Sequence, residues 1–242
     1  YHSRPATSCG DETMTLLRDS NIIQAAEDAT GIAYRPGEDI VISKTSHPRN
    51  TCKNPSRMKN FFSSIHHDRN NAGNGGIRHA TFMVYLTTIA PGHGGETFFP
   101  ALNSNLKKDM IAQQLKSSYR DNRCILELDS SLSQSCEKRL VEWRQSVSGS
   151  SSSINTHIDG FIDGSMKGSE DGSGSGSGSG SSGEGGGGGV HCEEGKAVVF
   201  DASCEYGSWH AGCSVYGGTE DKWIVSFFKA PPTRFSGMMM GL

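Results

Sequence analysis

The chain has 242 residues, of which 34% are hydrophobic and 31 are glycines, and it carries 23 basic and 26 acidic side chains. No segment approaches the run of roughly 18 apolar residues that a membrane-spanning helix needs. The formal net charge of −3 provides no basic excess for nucleic acid. We therefore expect one domain with a long insertion, or two small domains, without a membrane span or a nucleic-acid partner.

The cysteines bear on the cellular compartment. Their spacing matches no zinc motif, and their odd number leaves at least one unpaired within the chain. They are Cys9, Cys52, Cys124, Cys136, Cys192, Cys204 and Cys213. We expect an oxidising compartment, the endoplasmic reticulum or the secretory pathway. Because the chain starts at Tyr1, we also expect a fragment or a processed form. The cysteine pairing and the oligomeric state stay open.

The first predicted elements are a helix and a short strand. The helix covers residues 19–32, where apolar side chains recur at helical spacing. Asp19 or Ser20 is expected to cap its start, and Gly31 is expected to end it. The strand follows at residues 39–43.

A predicted loop and a long strand come next. Residues 45–63 are rich in Asn, Pro, Ser and basic side chains, a composition typical of a loop. Residues 79–89, HATFMVYLTTI, are β-branched and aromatic, which predicts a strand. Its two faces carry alternating side chains: Ala80, Phe82, Val84 and Leu86 on one, and Thr81, Met83, Tyr85 and Thr87 on the other.

The middle of the chain has the composition of an insertion. Helices are predicted at residues 105–119 and 132–147, with many charges and few large apolar groups. Residues 168–189 are almost entirely Gly, Ser and acidic residues, which bury no apolar area to offset their chain entropy. We predict an insertion at residues 104–189, disordered from about residue 148 onward.

This insertion divides one β domain into two blocks, residues 1–103 and 190–242. The second block is predicted to contain antiparallel strands at residues 196–201, 208–215 and 222–229. Strands on both sides of a long insertion indicate one β-sandwich or barrel, so the fold class is mostly β with flanking helices.

The tripeptide His66-His67-Asp68 is the first candidate for a metal site. In a strand, His66 and Asp68 point to one side while His67 points away, so one metal could take the outer pair. Together with a distant histidine, such a pair forms the facial triad of non-haem Fe(II) oxygenases, which leaves coordination positions open for a cosubstrate and oxygen.

A second HxD sequence, His157-Ile158-Asp159, lies in Ser/Gly-rich sequence without a predicted strand beside it. Metal ligands need a rigid sheet and supporting hydrogen bonds. The first copy is followed by the strand ATFMVYL and by GGETFFP, so it is the favoured one.

Several motifs follow the first HxD in a fixed order. The segments GGIRHATFMVYLTTIAPGHGGETFFP, GKAVVFD and SWHAGCSVYGGTEDKWIVSFF, with HHD before them, resemble the catalytic domain of the prolyl 4-hydroxylase family. Members of this family are 2-oxoglutarate- and Fe(II)-dependent dioxygenases. The family pattern runs HxD, R..T…YL…GGET.FP, G.A..F and HxGCPV..G.KW, and this chain matches nearly every position. The ordered series is far more specific than a lone HxD.

The resemblance implies a double-stranded β-helix, or jelly roll, interrupted by the long, partly helical insertion. The residues that would hold Fe(II) and form the catalytic centre are His66, Asp68 and His210. The ammonium of Lys222 would bind the distal carboxylate of 2-oxoglutarate through a charge-assisted pair. The hydroxyl groups that would line the same cosubstrate are those of Tyr85, Thr97 and Ser226.

Two features depart from the family pattern. Relatives carry a tyrosine motif between their first long strand and the HxD, whereas here a loop of some twenty residues intervenes. The sequence around Tyr34 is similar to that motif, but Tyr34 lies before the strand. The role of the family tyrosine is therefore not assigned to Tyr34. In addition, two extra residues separate His210 from Lys222. Either change could alter the affinity for 2-oxoglutarate.

The resemblance implies hydroxylation of a substrate with release of succinate and CO2, with L-ascorbate needed to keep the iron reduced. The expected substrate is peptidyl proline, so the expected partner is a proline-containing peptide or protein. One alternative is the same chemistry on another peptide or on a small molecule. Another is a non-catalytic jelly roll that serves as a binding module. A third alternative, a secreted interaction domain stabilised by disulfides, would not explain the order of the motifs.

Overall fold

The computed structural model describes residues 2–5, 11–35, 38–45, 65–69, 77–102, 104–121, 125–126, 130–148, 187–202, 206–216 and 219–230. The helices in this part are α1 (Asp11–Asp19), α2 (Ile22–Thr30), α3 (Met110–Arg120) and α4 (Ser130–Ser148). The strands are β1 (His2–Pro5), β2 (Asp39–Thr45), β3 (Ile65–His66), β4 (Ala80–Tyr85), β5 (Thr97–Phe99), β6 (Ile125–Leu126), β7 (Gly188–Val190), β8 (Ala197–Asp201), β9 (Ala211–Gly212) and β10 (Lys222–Lys229).

The strands form antiparallel sheets. The largest has the order β1-β2-β10-β4-β8, a second has the order β7-β5-β9, and β3 pairs with β6. A backbone bridge between His66 and His210 joins β3 to the residue that precedes β9. Among the described residues, the sheets are open at their edges and do not close into a barrel. The structure thus confirms a strand-rich fold with flanking helices.

One face of the large sheet, here called the inner face, packs against β5 and β7. In the β10–β4 pair, Ile224 lies opposite Tyr85 and Ser226 lies opposite Met83. Directly opposite residues project from the same face, and Lys222 shares it because it lies two residues before Ile224. The buried cluster between the sheets consists of Met83, Tyr85, Ile89, Phe99, Val190, Cys192, Val198, Phe200 and Val215.

The outer face of the large sheet is covered by α1 and α2. The buried cluster there consists of Met14, Leu17, Ile23, Ala26, Ile40, Phe82, Val84, Val225 and Phe227. The predicted alternation of β4 is therefore confirmed, and β10 alternates in the same way. Burial on both faces explains why β4 is apolar at nearly every position rather than at every second one.

The start of the predicted helix at residues 19–32 was wrong. Asp19 is instead the last residue of α1, a short helix that the sequence pattern did not reveal. Asn21 follows in the left-handed conformation, with φ 58°, and α2 begins without a side-chain cap. Asn tolerates this conformation better than most residues, so the chain can turn sharply between the two helices. Gly31, with φ 66°, ends α2 as predicted.

The two helices of the predicted insertion pack on the second sheet. Asp109 caps α3 by accepting hydrogen bonds from the N–H groups of Ile111 and Ala112, at 2.9 and 3.2 Å. The shared core consists of Ile65, Phe98, Ala101, Ile111, Ala112, Leu115, Leu126, Leu132, Cys136, Leu140, Trp209, Ala211 and Cys213. None of the helices in the described part combines the length and apolar character that crossing a bilayer requires.

Most of the predicted disordered segment lies outside the described residues. Its end differs from the prediction, because Gly188 and Gly189 belong to β7. A Cβ atom on Gly188 would lie 2.7 Å from the side chain of Leu102, and one on Gly189 would lie 3.0 Å from Trp143 of α4. A larger residue at either position would therefore have to displace Leu102 or Trp143 where β7 passes under α4, although composition alone suggested a tether.

Other boundaries differ by a few residues. The strand predicted at residues 39–43 extends to Thr45 in β2, and the rest of the predicted loop, up to residue 63, lies outside the described residues. Within the described part, Cys136, Cys192 and Cys213 are buried free thiols. The other cysteines lie outside it, so their pairing stays open.

Candidate metal centre

Three predicted ligands, His66, Asp68 and His210, come together in the structure. Their ligand atoms all lie within 4.8 Å of one another. Nε2 of His66 is 3.7 Å from Oδ1 of Asp68, and Nε2 of His210 is 3.8 Å from Oδ2. An octahedral ion with ligands at about 2.1 Å holds neighbouring ligand atoms about 3 Å apart. Small side-chain movements would therefore suffice for this group to hold a metal ion.

The backbone brings the two histidines together. The N–H of His66 donates to the carbonyl oxygen of His210 at 2.9 Å, and the N–H of His210 donates back at 2.8 Å. The two imidazole centroids lie 4.4 Å apart as a result. His67 turns away from the group, as predicted, and packs edge-on against Trp209 at 4.7 Å.

Asp68 is buried and oriented by a hydroxyl group. Oγ1 of Thr81, on the inner face of β4, donates to Oδ2 of Asp68 at 2.8 Å. Burial acts to raise the pKa of Asp68, but the two neighbouring imidazoles and this hydrogen bond outweigh it, so the pKa lies below its ordinary value. The carboxylate is thus ionised, which a metal ligand must be.

The ring of His210 is also fixed by its surroundings. Its Nδ1 lies 2.9 Å from the carbonyl oxygen of Ser208, which can only accept, so Nδ1 carries the proton. The lone pair of Nε2 therefore faces Asp68. Phe200 and Phe99 pack against the ring, with centroids at 4.7 and 5.6 Å. Burial lowers the pKa of His210 to about 4, so the imidazole is neutral near pH 7 and available as a ligand.

The candidate centre is accessible from the side of His66. The His66 side chain is 34% exposed, whereas those of Asp68 and His210 are each 9% exposed. Ile125 of β6 lies directly opposite His66, so their side chains share a face of the β3–β6 pair. Ile125 is 58% exposed, which places an apolar side chain beside the open edge of the site.

Lys222 is buried on the inner face, at the start of β10. It is 3% exposed, and its Nζ lies 5.3 Å from the centroid of the Tyr85 ring. Within the described part of the chain, its ammonium has no hydrogen-bond or ion-pair partner. Burial lowers the pKa of Lys222. A buried cation without an anion is costly, so this position is suited to an anionic ligand.

The predicted hydroxyl residues lie on or next to the same face. The Tyr85 hydroxyl donates to Oγ1 of Thr97 at 2.8 Å, and burial raises its pKa. Ser226 is 6% exposed and lies opposite Met83, between Tyr85 and Thr81 along the sheet. Thr81 therefore lies at the end of β4 that is near the candidate metal ligands, and Tyr85 lies at the end that is near Lys222.

Two other sequence candidates do not join the group. Tyr34 packs against the cluster on the outer face of the large sheet. This position, away from the inner face, agrees with not assigning the role of the family tyrosine to it. His157 and Asp159 lie outside the described residues. No residue was assigned to replace the family tyrosine, and the segment before His66 lies largely outside the described part.

Sequence reasoning missed Thr81 as the partner of Asp68. The alternation of β4 already placed Thr81 on the same face as Tyr85, so its position could have been inferred. It also missed the ion pair between Glu96 and Arg144 of α4, two residues that are distant in the chain. Only the packing of the helix reveals that pair.

No protein-family model, curated protein or solved structure matches this chain. The function therefore has to be inferred from the fold and from the geometry of the candidate metal centre.

Proposed function

We propose that this protein is a jelly-roll dioxygenase that uses Fe(II), 2-oxoglutarate and L-ascorbate to hydroxylate peptidyl proline. The observation that carries the proposal is the combination of a His-Asp-His group with an unpaired buried ammonium on the inner face of the same fold. Either feature alone has many explanations. Together they provide ligands for a metal and a countercharge for a dicarboxylic cosubstrate.

The donor set fits Fe(II). His66, Asp68 and His210 offer two imidazole nitrogens and one carboxylate, a set that leaves positions open on the ion for other ligands. Bound Fe(II) would supply the redox chemistry that couples decarboxylation of 2-oxoglutarate to hydroxylation, with ascorbate keeping the iron reduced. The residues around it hold the ligands in place: Thr81 orients Asp68, and the Ser208 carbonyl fixes the tautomer of His210.

Lys222 fits the distal carboxylate of 2-oxoglutarate. A charge-assisted hydrogen bond to a side chain that is only 3% exposed is stronger than the same contact at the surface. The hydroxyl groups of Thr97 and Ser226 are available on or beside the inner face as further donors to that carboxylate, whereas the Tyr85 hydroxyl donates to Thr97 and holds that side chain in place. Binding of the cosubstrate would offset the free-energy cost of the buried ammonium.

The open side of the site supports a substrate with an apolar reacting group. Ile125 beside His66 offers a surface against which a pyrrolidine ring can pack. A charged side chain would lose hydration there without gaining a partner in Ile125. Proline within a peptide therefore fits better than a free, charged amino acid.

The decisive experiment is a turnover assay. Purified protein is incubated with Fe(II), ascorbate and 2-oxoglutarate, with and without prolyl peptides, and succinate is measured against a His210→Ala control. We expect peptide-stimulated succinate release by the wild type and only background by the variant. Equal background in both proteins would refute the dioxygenase proposal.

Two further outcomes separate the alternatives. Succinate release stimulated by another peptide or by a small molecule, but not by prolyl peptides, would retain the chemistry and replace the substrate. Calorimetric binding of Fe(II) and 2-oxoglutarate without any turnover would favour a non-catalytic binding module.

A further inference from the structure

The side chain of Thr87 bridges the two residues that flank Lys222. Thr87 lies two residues beyond the end of β4. Its Oγ1 accepts a hydrogen bond from the N–H of Trp223 at 2.9 Å and donates to the carbonyl oxygen of Asp221 at 3.1 Å. One hydroxyl group therefore holds the backbone on both sides of Lys222, at the point where β10 begins.

Thr87 is itself held in place. Its carbonyl oxygen accepts a hydrogen bond from the thiol of Cys192 at 3.1 Å, which ties it to the chain that follows β7. The hydroxyl has a single hydrogen, and that hydrogen is donated to Asp221. The hydroxyl is therefore not available as a donor to a ligand, and its effect on the pocket has to act through the position of Lys222.

The neighbouring strand β2 holds the same two residues from the other side. Trp223 lies opposite Lys44 in the β10–β2 pair. Nζ of Lys44 lies 2.7 Å from Oδ2 of Asp221 and 5.1 Å from the centroid of the Trp223 ring. Because β10 lies between β2 and β4, its start is anchored along both edges.

The position of the Lys222 ammonium depends on this anchoring. The side chain is 3% exposed, and its Nζ lies 5.3 Å from the centroid of the Tyr85 ring. A charge-assisted hydrogen bond to a carboxylate weakens steeply when its distance or angle departs from the optimum. A shift of the backbone at the start of β10 would therefore move the ammonium out of reach of the distal carboxylate.

We propose that Thr87 is a positioning residue, which fixes the backbone around Lys222 and thereby places the ammonium for 2-oxoglutarate. The inference rests on the proposed function, because it assigns Lys222 to the cosubstrate. Thr87 acts through Lys222, without a contact of its own to the cosubstrate.

The binding experiment measures 2-oxoglutarate affinity by calorimetry on the Fe(II)-loaded protein. Thr87→Val removes both hydrogen bonds at nearly constant volume and is expected to raise the Kd by about fivefold or more. Thr87→Ser retains the hydroxyl and should stay within about twofold of the wild type. A serine variant that binds as weakly as the valine variant, or a valine variant that binds like the wild type, would overturn the proposal.

The adjacent threonine provides a matched control. Oγ1 of Thr88 accepts a hydrogen bond from the N–H of Glu194 at 2.9 Å, so it holds a different part of the chain. Thr88→Val makes the same chemical change one residue away and should leave the Kd within about twofold of the wild type. A loss equal to that of Thr87→Val would show that the bridge to the residues around Lys222 is not the cause.

A double-mutant cycle separates positioning of the ammonium from a general structural effect. In a Lys222→Met background there is no ammonium to place, so adding Thr87→Val should change the remaining 2-oxoglutarate Kd by less than about twofold. The same fold loss in both backgrounds would overturn the proposal, because a general disturbance of the pocket does not depend on Lys222.

A last experiment needs no cosubstrate. The N–H of Trp223 loses its acceptor in Thr87→Val, so its exchange with D2O, followed by NMR, should accelerate by about tenfold or more, and Thr88→Val should leave it unchanged. An unchanged rate in Thr87→Val would overturn the proposal. If the wild type fails to bind 2-oxoglutarate, the proposed function falls, but this measurement still decides whether Thr87 fixes the start of β10.

A second variant covers the case in which Thr87→Val does not fold. Lys44→Met removes the partly exposed ion pair with Asp221 and loosens the start of β10 from the β2 side. It is expected to raise the 2-oxoglutarate Kd by about two- to threefold, since a pair of this kind contributes little stability. An unchanged Kd would then overturn the proposal.

Discussion

His66 and His210 are neighbours through two reciprocal backbone hydrogen bonds, at 2.9 and 2.8 Å, although they are far apart in the chain. The bridge fixes their Cα positions independently of any ion. A metal would therefore bind to a backbone that is already in place, and its affinity should depend on how well the side chains are oriented.

Thr81 is expected to orient the metal site through Asp68. Thr81→Val removes the 2.8 Å hydrogen bond to Oδ2 while nearly preserving the side-chain volume. Loss of such a supporting contact typically lowers metal affinity by about 10–100-fold. The Fe(II) Kd, measured by anaerobic titration, should rise in this range. Thr88→Val, which removes a hydroxyl that contacts the backbone of Glu194, is the control and should leave the Kd unchanged. Equal values for both variants would contradict the role of Thr81.

Much of the site could be predicted because strand alternation is a local property. The two-residue period of β4 placed Tyr85 on one face with Thr81 and Met83, and the structure agrees; Lys222 and Ser226 of β10 share that face. The His-Asp-His group was reached through motif order instead. Spacing along the chain gives no distance between His66 and His210; the bridge between them supplies it.

The remaining features depend on long-range packing that local patterns do not encode. The few apolar residues of α3 and α4 resembled those of an insertion, yet most of them reach one shared core, and only Met110 and Val141 are large apolar side chains that stay exposed there. The composition around Gly188 and Gly189 is typical of a linker, although both belong to β7 and lie close against Leu102 and Trp143. In both cases the composition was compatible with either an exposed or a packed segment. Contacts with the neighbouring helix or strand determine which of the two forms.

The two buried lysines of β10 should respond oppositely to the same substitution. Lys222 has no partner in the described part of the chain, so Lys222→Met should stabilise the cosubstrate-free protein by about 1 kcal/mol, or roughly 2–4 °C in Tm. Lys229 pairs with Glu38 at 3.1 Å, so Lys229→Met leaves the Glu38 carboxylate, whose side chain is 8% exposed, without its cationic partner and should cost roughly 3–5 kcal/mol. Thermal and urea unfolding measure both effects. Destabilisation by Lys222→Met would mean that its ammonium has a partner in the unliganded protein.

Ile125 is expected to contact the substrate at the open edge of the metal centre. Ile125→Asp places a charge where an apolar group would pack, so KM for a prolyl peptide should rise by about tenfold or more. The 2-oxoglutarate affinity should stay within about twofold, because Ile125 lies beside His66 at the metal end of the site and Lys222 lies at the other end. Leu16→Asp, an equally exposed apolar position on α1 at the outer face, serves as the control. Similar KM values for the two variants would remove Ile125 from the substrate site.

The pair of Asp109 with Arg139 should make stability depend on pH. Burial acts to raise the pKa of Asp109, but its hydrogen bonds, chiefly with Arg139, outweigh this and lower it. The pair's contribution is therefore complete above the ordinary carboxyl pKa and is lost as pH falls through the lowered value. Asp109→Asn retains a capping side chain for α3 and removes the charge. It should destabilise the protein by about 1–3 kcal/mol at about pH 7, with a smaller deficit at about pH 3, as measured by urea unfolding. A deficit that stays constant or grows on acidification would show that the carboxylate charge is not what stabilises the contact.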